Sequence, residues 1–516
     1  MVMTGPPATP TAGGATDAPA APRQSVLARI VTYAPGSIVP ALLTLATSVV
    51  FTRIFSASSF GTYGLFLAVA VPLKLLATTW LTQSIGKFLP QQTTREGAAR
   101  VTDAVAVSTI LVLAVESVLG VAAVALGRAL LPGDQQQFVG AMVAFVVVTS
   151  AFDVLGILFA TQHRAREYVT YKLTDSVATF GLRLLLVSAA VGMDITLMFW
   201  SVVVSNGLLV PVMWHRAGLG SPLRLWRLAR SAALRPQVLA FAAFGLPMTM
   251  WFFSSILLDV GDRFVINYLL GPAAVGIYDA NYRLITGTAA LLVVPVTITM
   301  HPYLMSISGS GDDRRINEVI GTVVQNLLVV GTLAVGLTVV FHRDIADILL
   351  GPEFREGSVV MPVVLAGVIL FNVGTFVHKP FEIVGRTTPM VVFGVLAAVA
   401  NLLLNFVLVP RLGYVGAGYA TLAAYLLYTV GVGALGRRIY AWRIDVAATL
   451  TWTAFIVGGL AGLHGVRRLV AGTPYAVDLT VSLLLAAVLA AWCLIGLLRR
   501  TSVGGVWGEV RRGRDQ

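Results

Sequence analysis

Along nearly the whole chain, runs of about 20 residues almost free of Asp, Glu, Lys and Arg alternate with short polar connections. Fourteen such runs occur, at 33–52, 60–81, 104–126, 139–161, 173–191, 195–214, 238–258, 280–300, 319–341, 359–381, 390–409, 415–435, 446–463 and 477–498. As a helix rising ~1.5 Å per residue, each matches the roughly 30 Å hydrocarbon layer of a bilayer. The pattern predicts an all-α integral membrane protein of about fourteen transmembrane helices. The narrowest division is the one between the fifth and sixth runs, at 192–194.

Composition narrows the class. Of 516 residues, 57% are hydrophobic and 12% charged, against roughly 25% charged in soluble proteins. With 50 glycines and a mean hydropathy of +0.84, too little polar surface remains to cover a water-exposed body, which excludes a soluble enzyme. The net charge of +12 would suggest nucleic acid in a soluble protein, but here loop topology accounts for it. Counted over the termini and alternate connections, with Lys379 at the end of the tenth run assigned to the connection that follows it, one side holds 25 of the 36 Lys and Arg, the other side 8, and the span interiors 3. Basic residues collect on the cytoplasmic side, so both termini are expected there, in a multi-pass protein of the cytoplasmic (inner) membrane. No nucleic-acid partner is needed. Cys493 is the only cysteine, and neither a metal site nor a cofactor is predicted.

The segment 1–28 is rich in Ala, Thr, Pro and Gly and reads as a disordered cytoplasmic tail rather than a signal peptide. The chain then repeats weakly. Gly61 and Tyr63 follow the first span as Gly276 and Tyr278 follow the seventh, at a constant offset of 215. Both spans start from the same side, so the repeat would relate two parallel six-helix halves. The predicted organisation is an N-terminal bundle at 29–215, a basic linker at 216–237, a second bundle at 238–438, two further helices at 439–498 and a basic tail at 499–516. The linker, with Leu223 and Trp226 among Arg224, Arg227 and Arg230, reads as a short amphipathic helix on anionic headgroups.

Three stretches together resemble a known family: Arg53-Ile-Phe-Ser-Ala-Ser-Ser-Phe-Gly61-Thr-Tyr63; Leu270-Gly-Pro-Ala-Ala-Val-Gly276-Ile-Tyr278 leading into Ala280-Asn-Tyr-Arg283; and Asn401 to Ala420, with Asn405, Pro410, Gly413 and Gly416. Their order and spacing on a fourteen-helix chain resemble the polysaccharide (Wzx-type) flippases of the MOP exporter superfamily, over about residues 34–436. The resemblance implies two six-helix bundles facing each other in a V around a central cavity, with two helices appended. It implies transport of polyprenyl-pyrophosphate-linked oligosaccharides to the outer leaflet, for cell-surface polysaccharide such as lipopolysaccharide. The implied partners are the lipid-linked oligosaccharide and membrane lipids, with other polysaccharide-assembly proteins as further candidates.

Such a substrate has an anionic diphosphate and a polar head that cannot cross hydrocarbon unaided. Basic residues inside spans are natural phosphate partners, because an intramembrane charge is costly unless it faces a cavity or a counter-charge. Lys74, Arg183 and Arg283 are the candidates. Each also has an acid within reach by residue counting. Lys74 shares its depth with Glu116, Arg183 with Asp153, and Asp279 is i,i+4 from Arg283. Substrate contact and structural ion pairing therefore both stand. Lys74 and Arg283 lead, since the second and eighth helices hold equivalent places in the repeat; Arg183 follows. Glu116, Asp153 and Asp279 are candidates for ion coupling or for plain ion pairs. Asp175, Asp259, Asp262 and Arg263 read as solvated helix ends.

Pro40, Pro247 and Pro295 interrupt the first, seventh and eighth spans and are candidate hinges for exchanging inward-open and outward-open states. The six histidines form no H-E-x-x-H pattern, and neither a G-x-S-x-G nor a Walker A run occurs. A transporter, not an enzyme, is therefore expected. Two rivals are a cation-coupled multidrug exporter, which needs unpaired acids in its cavity, and a membrane glycosyltransferase or polymerase, which needs an outer-face acceptor pocket.

Overall fold

The computed structural model describes residues 35–162, 164–188, 194–221, 224–225, 227–228, 233–308, 312–470 and 473–500. The tail 1–28, nearly all of the tail 499–516, and Leu223 and Trp226 of the linker lie outside them. The described residues form α1 (Pro35–Phe51), α2 (Ala57–Phe88), α3 (Arg95–Leu130), α4 (Gly133–Thr161), α5 (Ala165–Ser188), α6 (Leu197–Arg216), α7 (Arg235–Leu270), α8 (Pro272–Ser308), α9 (Asp313–Leu349), α10 (Met361–Val377), α11 (Thr388–Leu412), α12 (Tyr414–Gly436), α13 (Val446–Val470) and α14 (Tyr475–Arg500). A 3-10 segment, Pro352–Val360, precedes α10, and a short helix, Lys379–Ile383, follows it.

One helix therefore stands on each predicted run, although not every helix meets the criteria for a span. Among the described residues, ten helical segments are long and apolar enough to cross a membrane, or eleven with the two parts of α7 taken as one. The apolar stretch of α1 is only Ile38–Phe51, and α5 carries Arg166, Glu167, Lys172, Asp175 and Arg183. Fourteen helices thus exceed the spans supported by length and hydropathy alone.

Local chemistry sets the ends. Ser56, Thr94 and Asp312 cap α2, α3 and α9 by accepting from backbone N–H groups of the first turn. Gly271, at φ +87°, turns the chain from α7 into α8, in a conformation that favours glycine. Within the helices, hydroxyls bond the carbonyl one turn back, as Thr47 does to Leu43 at 2.7 Å and Thr109 to Val105 at 2.7 Å. Polar residues so enter apolar helices with their donors satisfied.

Packing reveals the repeat. α1 lies on α5 as α7 lies on α11; α2 on α4 as α8 on α10; α3 on α4 as α9 on α10; and α5 on α6 as α11 on α12. Each pair maps on the other by adding six to the helix number, as two parallel six-helix bundles require. α13 and α14 are appended to α9, through Val329, Leu333, Ile456, Cys493 and Leu497.

The bundles meet along α2, which packs on both α7 and α8. Near the α1–α2 turn the repeated glycines face each other. A Cβ on Gly61 would lie 1.8 Å from the Pro272 carbonyl oxygen, and one on Gly276 1.9 Å from that of Ala57. Only glycine permits this approach, so the two repeats share a glycine because they touch each other there. The same end is clasped by hydrogen bonds between the halves. Gly351 N–H donates to the Thr52 hydroxyl at 3.1 Å, and Ala57 N–H to the Glu353 carboxylate at 2.8 Å. Phe60 meets Phe354 edge to face at 5.5 Å. Toward the α2–α3 turn a second seam forms, more apolar in character. A Cβ on Gly245 would lie 2.0 Å from the Trp80 carbonyl oxygen, Ser84 donates to the Phe241 carbonyl at 2.9 Å, and Lys87 sits 3.8 Å from the Phe244 ring.

The part of the linker that is described folds back onto the N-terminal bundle. Leu219, Leu225 and Leu234 are buried in a cluster with Leu155, Leu158 and Met213, and Arg224 pairs with Asp103 at 3.0 Å.

Candidate functional site

A cavity of about 370 Å³ lies between the bundles. Thr44 of α1 and Leu67, Ala68 and Val71 of α2 form one wall; Asp259, Val260 and Arg263 of α7 and Tyr282, Arg283, Thr286 and Gly287 of α8 form the other. The first wall is nearly apolar. The second carries the charge.

Behind that wall the polar side chains form a closed network. Arg263 is buried, 3% exposed, and donates through Nε to Asp279 at 2.8 Å and through Nη1 to Asp262 at 3.0 Å and to the Asp259 carbonyl. Its guanidinium lies 4.6 Å from the Tyr282 ring. Tyr278 donates its hydroxyl to Asp262, and Tyr282 donates to Asp259. Arg283 Nε donates to the second oxygen of Asp279. Asp279 is therefore shared by two guanidiniums, one from each of α7 and α8. Burying ions this deeply is tolerable only with such partners.

At the cavity surface two groups are left available. The Arg283 side chain is 28% exposed and, among the described residues, only its Nε has a hydrogen-bond partner, so its terminal amino groups remain as donors. Asp259 is exposed and presents a carboxylate acceptor. The site thus offers a cationic donor fork beside an anionic acceptor.

The other candidates fall elsewhere. Lys74, one turn past Val71 on α2, is not among the cavity residues; its Nζ lies 2.7 Å from Asp153 on α4, which also receives Lys172 at 3.4 Å. The expected pairing of Lys74 with Glu116 is replaced by this one. Glu116 accepts instead from Ser150 at 2.7 Å, and its other oxygen is buried without a partner among the described residues. Arg183 does not meet Asp153 either. It bonds Ser201 at 3.1 Å, Thr47 at 3.4 Å and the Met198 carbonyl at 3.3 Å, with no acid at contact distance among the described residues. The charges of Asp175 and of Arg283 both reach it, the first favouring and the second opposing its own.

The acids read as solvated helix ends also differ. Asp262 and Arg263 are 0% and 3% exposed because α7 continues to Leu270, well beyond the charge-free run. Asp175 is held by Asn206 at 2.8 Å, Ser205 at 2.9 Å and Thr179 at 3.2 Å. The tyrosine of the repeated Gly-x-Tyr was the available signal for this wall, since Tyr278 leads directly to Asp262. Of the prolines, Pro40 lies inside α1, Pro247 lies in the first part of α7, and the Pro295 side chain is outside the described residues. α7 bends by 47° between Arg235–Met250 and Ser255–Leu270.

Comparison with known proteins bears on this geometry. Agl15 of Haloferax volcanii, a probable low-salt glycan biosynthesis flippase, is 24% identical over 270 residues, 52% of this chain and 54% of that protein. AglR of the same organism, a probable flippase, is 26% identical over 175 residues, 33% of this chain and 36% of that one. The chain spans about half the length of the first and about a third of the second. Among solved structures, lipid II flippase MurJ in an inward closed conformation is similar at TM-score 0.69 and 12% identity, covering 91% of this chain and 100% of that one. An inward-facing multidrug resistance MATE transporter of the MOP superfamily is similar at TM-score 0.60 and 13% identity, over 81% and 99% of the two chains. At such identities the likeness is one of fold, and it agrees with the paired bundles described above. A family model, "Polysaccharide biosynthesis protein", matches residues 26–308, more than half of the sequence, and the chain belongs to that family.

Proposed function

We propose that the protein is a flippase that carries a polyprenyl-pyrophosphate-linked oligosaccharide or polysaccharide repeat unit across the cytoplasmic membrane by alternating access. The observation that carries this reading is the cavity between the bundles, where Arg283 keeps free donors for a diphosphate and Asp259 offers an acceptor to sugar hydroxyls. Family membership and the flippase names of Agl15 and AglR support it. Arg183, which lies outside the cavity wall and has no acidic partner at contact distance among the described residues, adds positive field to the anion without touching it. The bend of α7 beside Pro247 supports rocking of the halves about this site. The Lys and Arg asymmetry of the loops supports cytoplasmic termini.

The test is flipping of a fluorescent undecaprenyl-pyrophosphate oligosaccharide in proteoliposomes. Transport by the intact protein and its loss in Arg283→Ala is the expected result. Full transport by that variant would overturn the anion site. A second reading, export of an organic cation, is favoured by the exposed carboxylate of Asp259. It predicts that Asp259→Asn abolishes uptake of a lipophilic cation while Arg283→Ala does not.

A further inference from the structure

Among the described residues, assemblies outside the substrate contacts include the Lys74–Asp153–Lys172 group, the groove between α9 and α14, and the buried network behind Arg283. The last carries an inference with a sign that can be measured. We infer that Asp279 tempers the anion site by offsetting the charge of Arg283, and that Arg263 sets how strongly it does so. This deepens, and rests on, the reading that Arg283 receives the anionic group of the substrate.

The geometry is a chain of shared bonds. Asp279 gives one oxygen to Arg263 Nε at 2.8 Å and the other to Arg283 Nε. Binding through Nε leaves both terminal amino groups without a hydrogen-bond partner among the described residues, available for a forked contact with a phosphate, while the shared carboxylate partly offsets their charge. A carboxylate shared by two cations neutralises neither completely, so Arg283 retains positive field toward the cavity. Arg263 is itself anchored by Asp262 at 3.0 Å, by the Asp259 carbonyl and by contact with the Tyr282 ring. Arg263 borders the cavity at only 3% exposure with Nε and Nη1 already engaged, and so acts on the anion chiefly through Asp279.

Two single changes should then act in opposite directions. Without Arg263, Asp279 belongs wholly to Arg283 and cancels it. Without the charge on Asp279, Arg283 is released to the anion. A purely structural network would instead weaken binding in both cases, because either change breaks a buried pair.

The probe is inorganic pyrophosphate, titrated calorimetrically at low salt against the full-length protein in nanodiscs. Roughly threefold to tenfold tighter binding is expected for Asp279→Asn and a similar weakening for Arg263→Gln, as one nearby charge is removed or uncovered in a site of low dielectric. Arg263→Lys, which keeps the charge and guards against misfolding of the glutamine variant, should stay within about threefold of the parent. Asp259→Asn removes a cavity charge that does not bond Arg283 and should shift binding less than Asp279→Asn. Weakening by Asp279→Asn, or an equal gain from Asp259→Asn, would overturn the tempering role. Unchanged pyrophosphate binding by Arg283→Ala would instead overturn the anion-site reading beneath it.

Discussion

Two of the charged groups among the described residues use similar residues to different ends. In the N-terminal bundle, Lys74 and Lys172 converge on Asp153, with Glu116 bonded to Ser150 nearby. No residue of that group lines the central cavity. Behind the wall formed by α7 and α8, Arg263 and Arg283 converge on Asp279, and here the group ends at the cavity, in Arg283 and Asp259. Lysine gives a compact point charge that one carboxylate can satisfy. Arginine has five donors in a fixed fork, so a bond at Nε leaves others free. The difference teaches that position in the repeat does not decide function: Lys74 and Arg283 sit on equivalent helices, yet one closes a bundle and the other opens onto the site.

The comparison can be broken most decisively by Arg283→Ala. Surface polysaccharide, normalised to inserted protein, should fall at least tenfold, in line with loss of a charged contact worth about 1.5–3 kcal/mol or more. Arg183→Gln should follow with a loss of roughly threefold, since it adds field to the same anion without lining the cavity wall. Lys74→Met should act on stability instead. Breaking the pair with Asp153 is expected to cost about 3 kcal/mol, tempered by Lys172, and to lower the melting temperature in detergent. The double variant Lys74→Met, Asp153→Leu should recover most of that loss while transport per folded molecule stays near the parent. If Lys74→Met instead stops transport at unchanged stability, the two groups are not different in kind. The smallest effect is expected from Glu116→Gln, below twofold in transport, because the amide can still accept from Ser150; a larger loss would bring back ion coupling at this carboxylate.

Much of the fold was legible in the runs of uncharged residues, since a helix in hydrocarbon must be both apolar and internally hydrogen-bonded. The repeated glycine was legible too, and its reason became visible only where Gly61 and Gly276 meet. The site was harder. Counting residues along a span gives depth but not rotation about the helix axis, so Glu116 and Asp153 were each matched to the wrong cation. A criterion that ends a span at the first charge also stops short where charges are paired. The seventh run ended at 258 and the eighth began at 280, whereas α7 reaches Leu270 and α8 starts at Pro272. Asp259, Asp262, Arg263 and Asp279, the network that holds Arg283, all fell in the excluded gap.

The contact of Gly61 with Gly276 has a mechanical meaning. Helices ordinarily interlock through side-chain ridges and grooves, and turning one over another forces those side chains through new rotamers. Where two backbones touch directly there are no teeth to disengage, only a smooth surface of Cα–H groups and carbonyl oxygens. At the glycine pair α2 and α8 therefore lack that side-chain interlock, and this end of the seam is held instead by the Gly351–Thr52, Ala57–Glu353 and Phe60–Phe354 contacts around it.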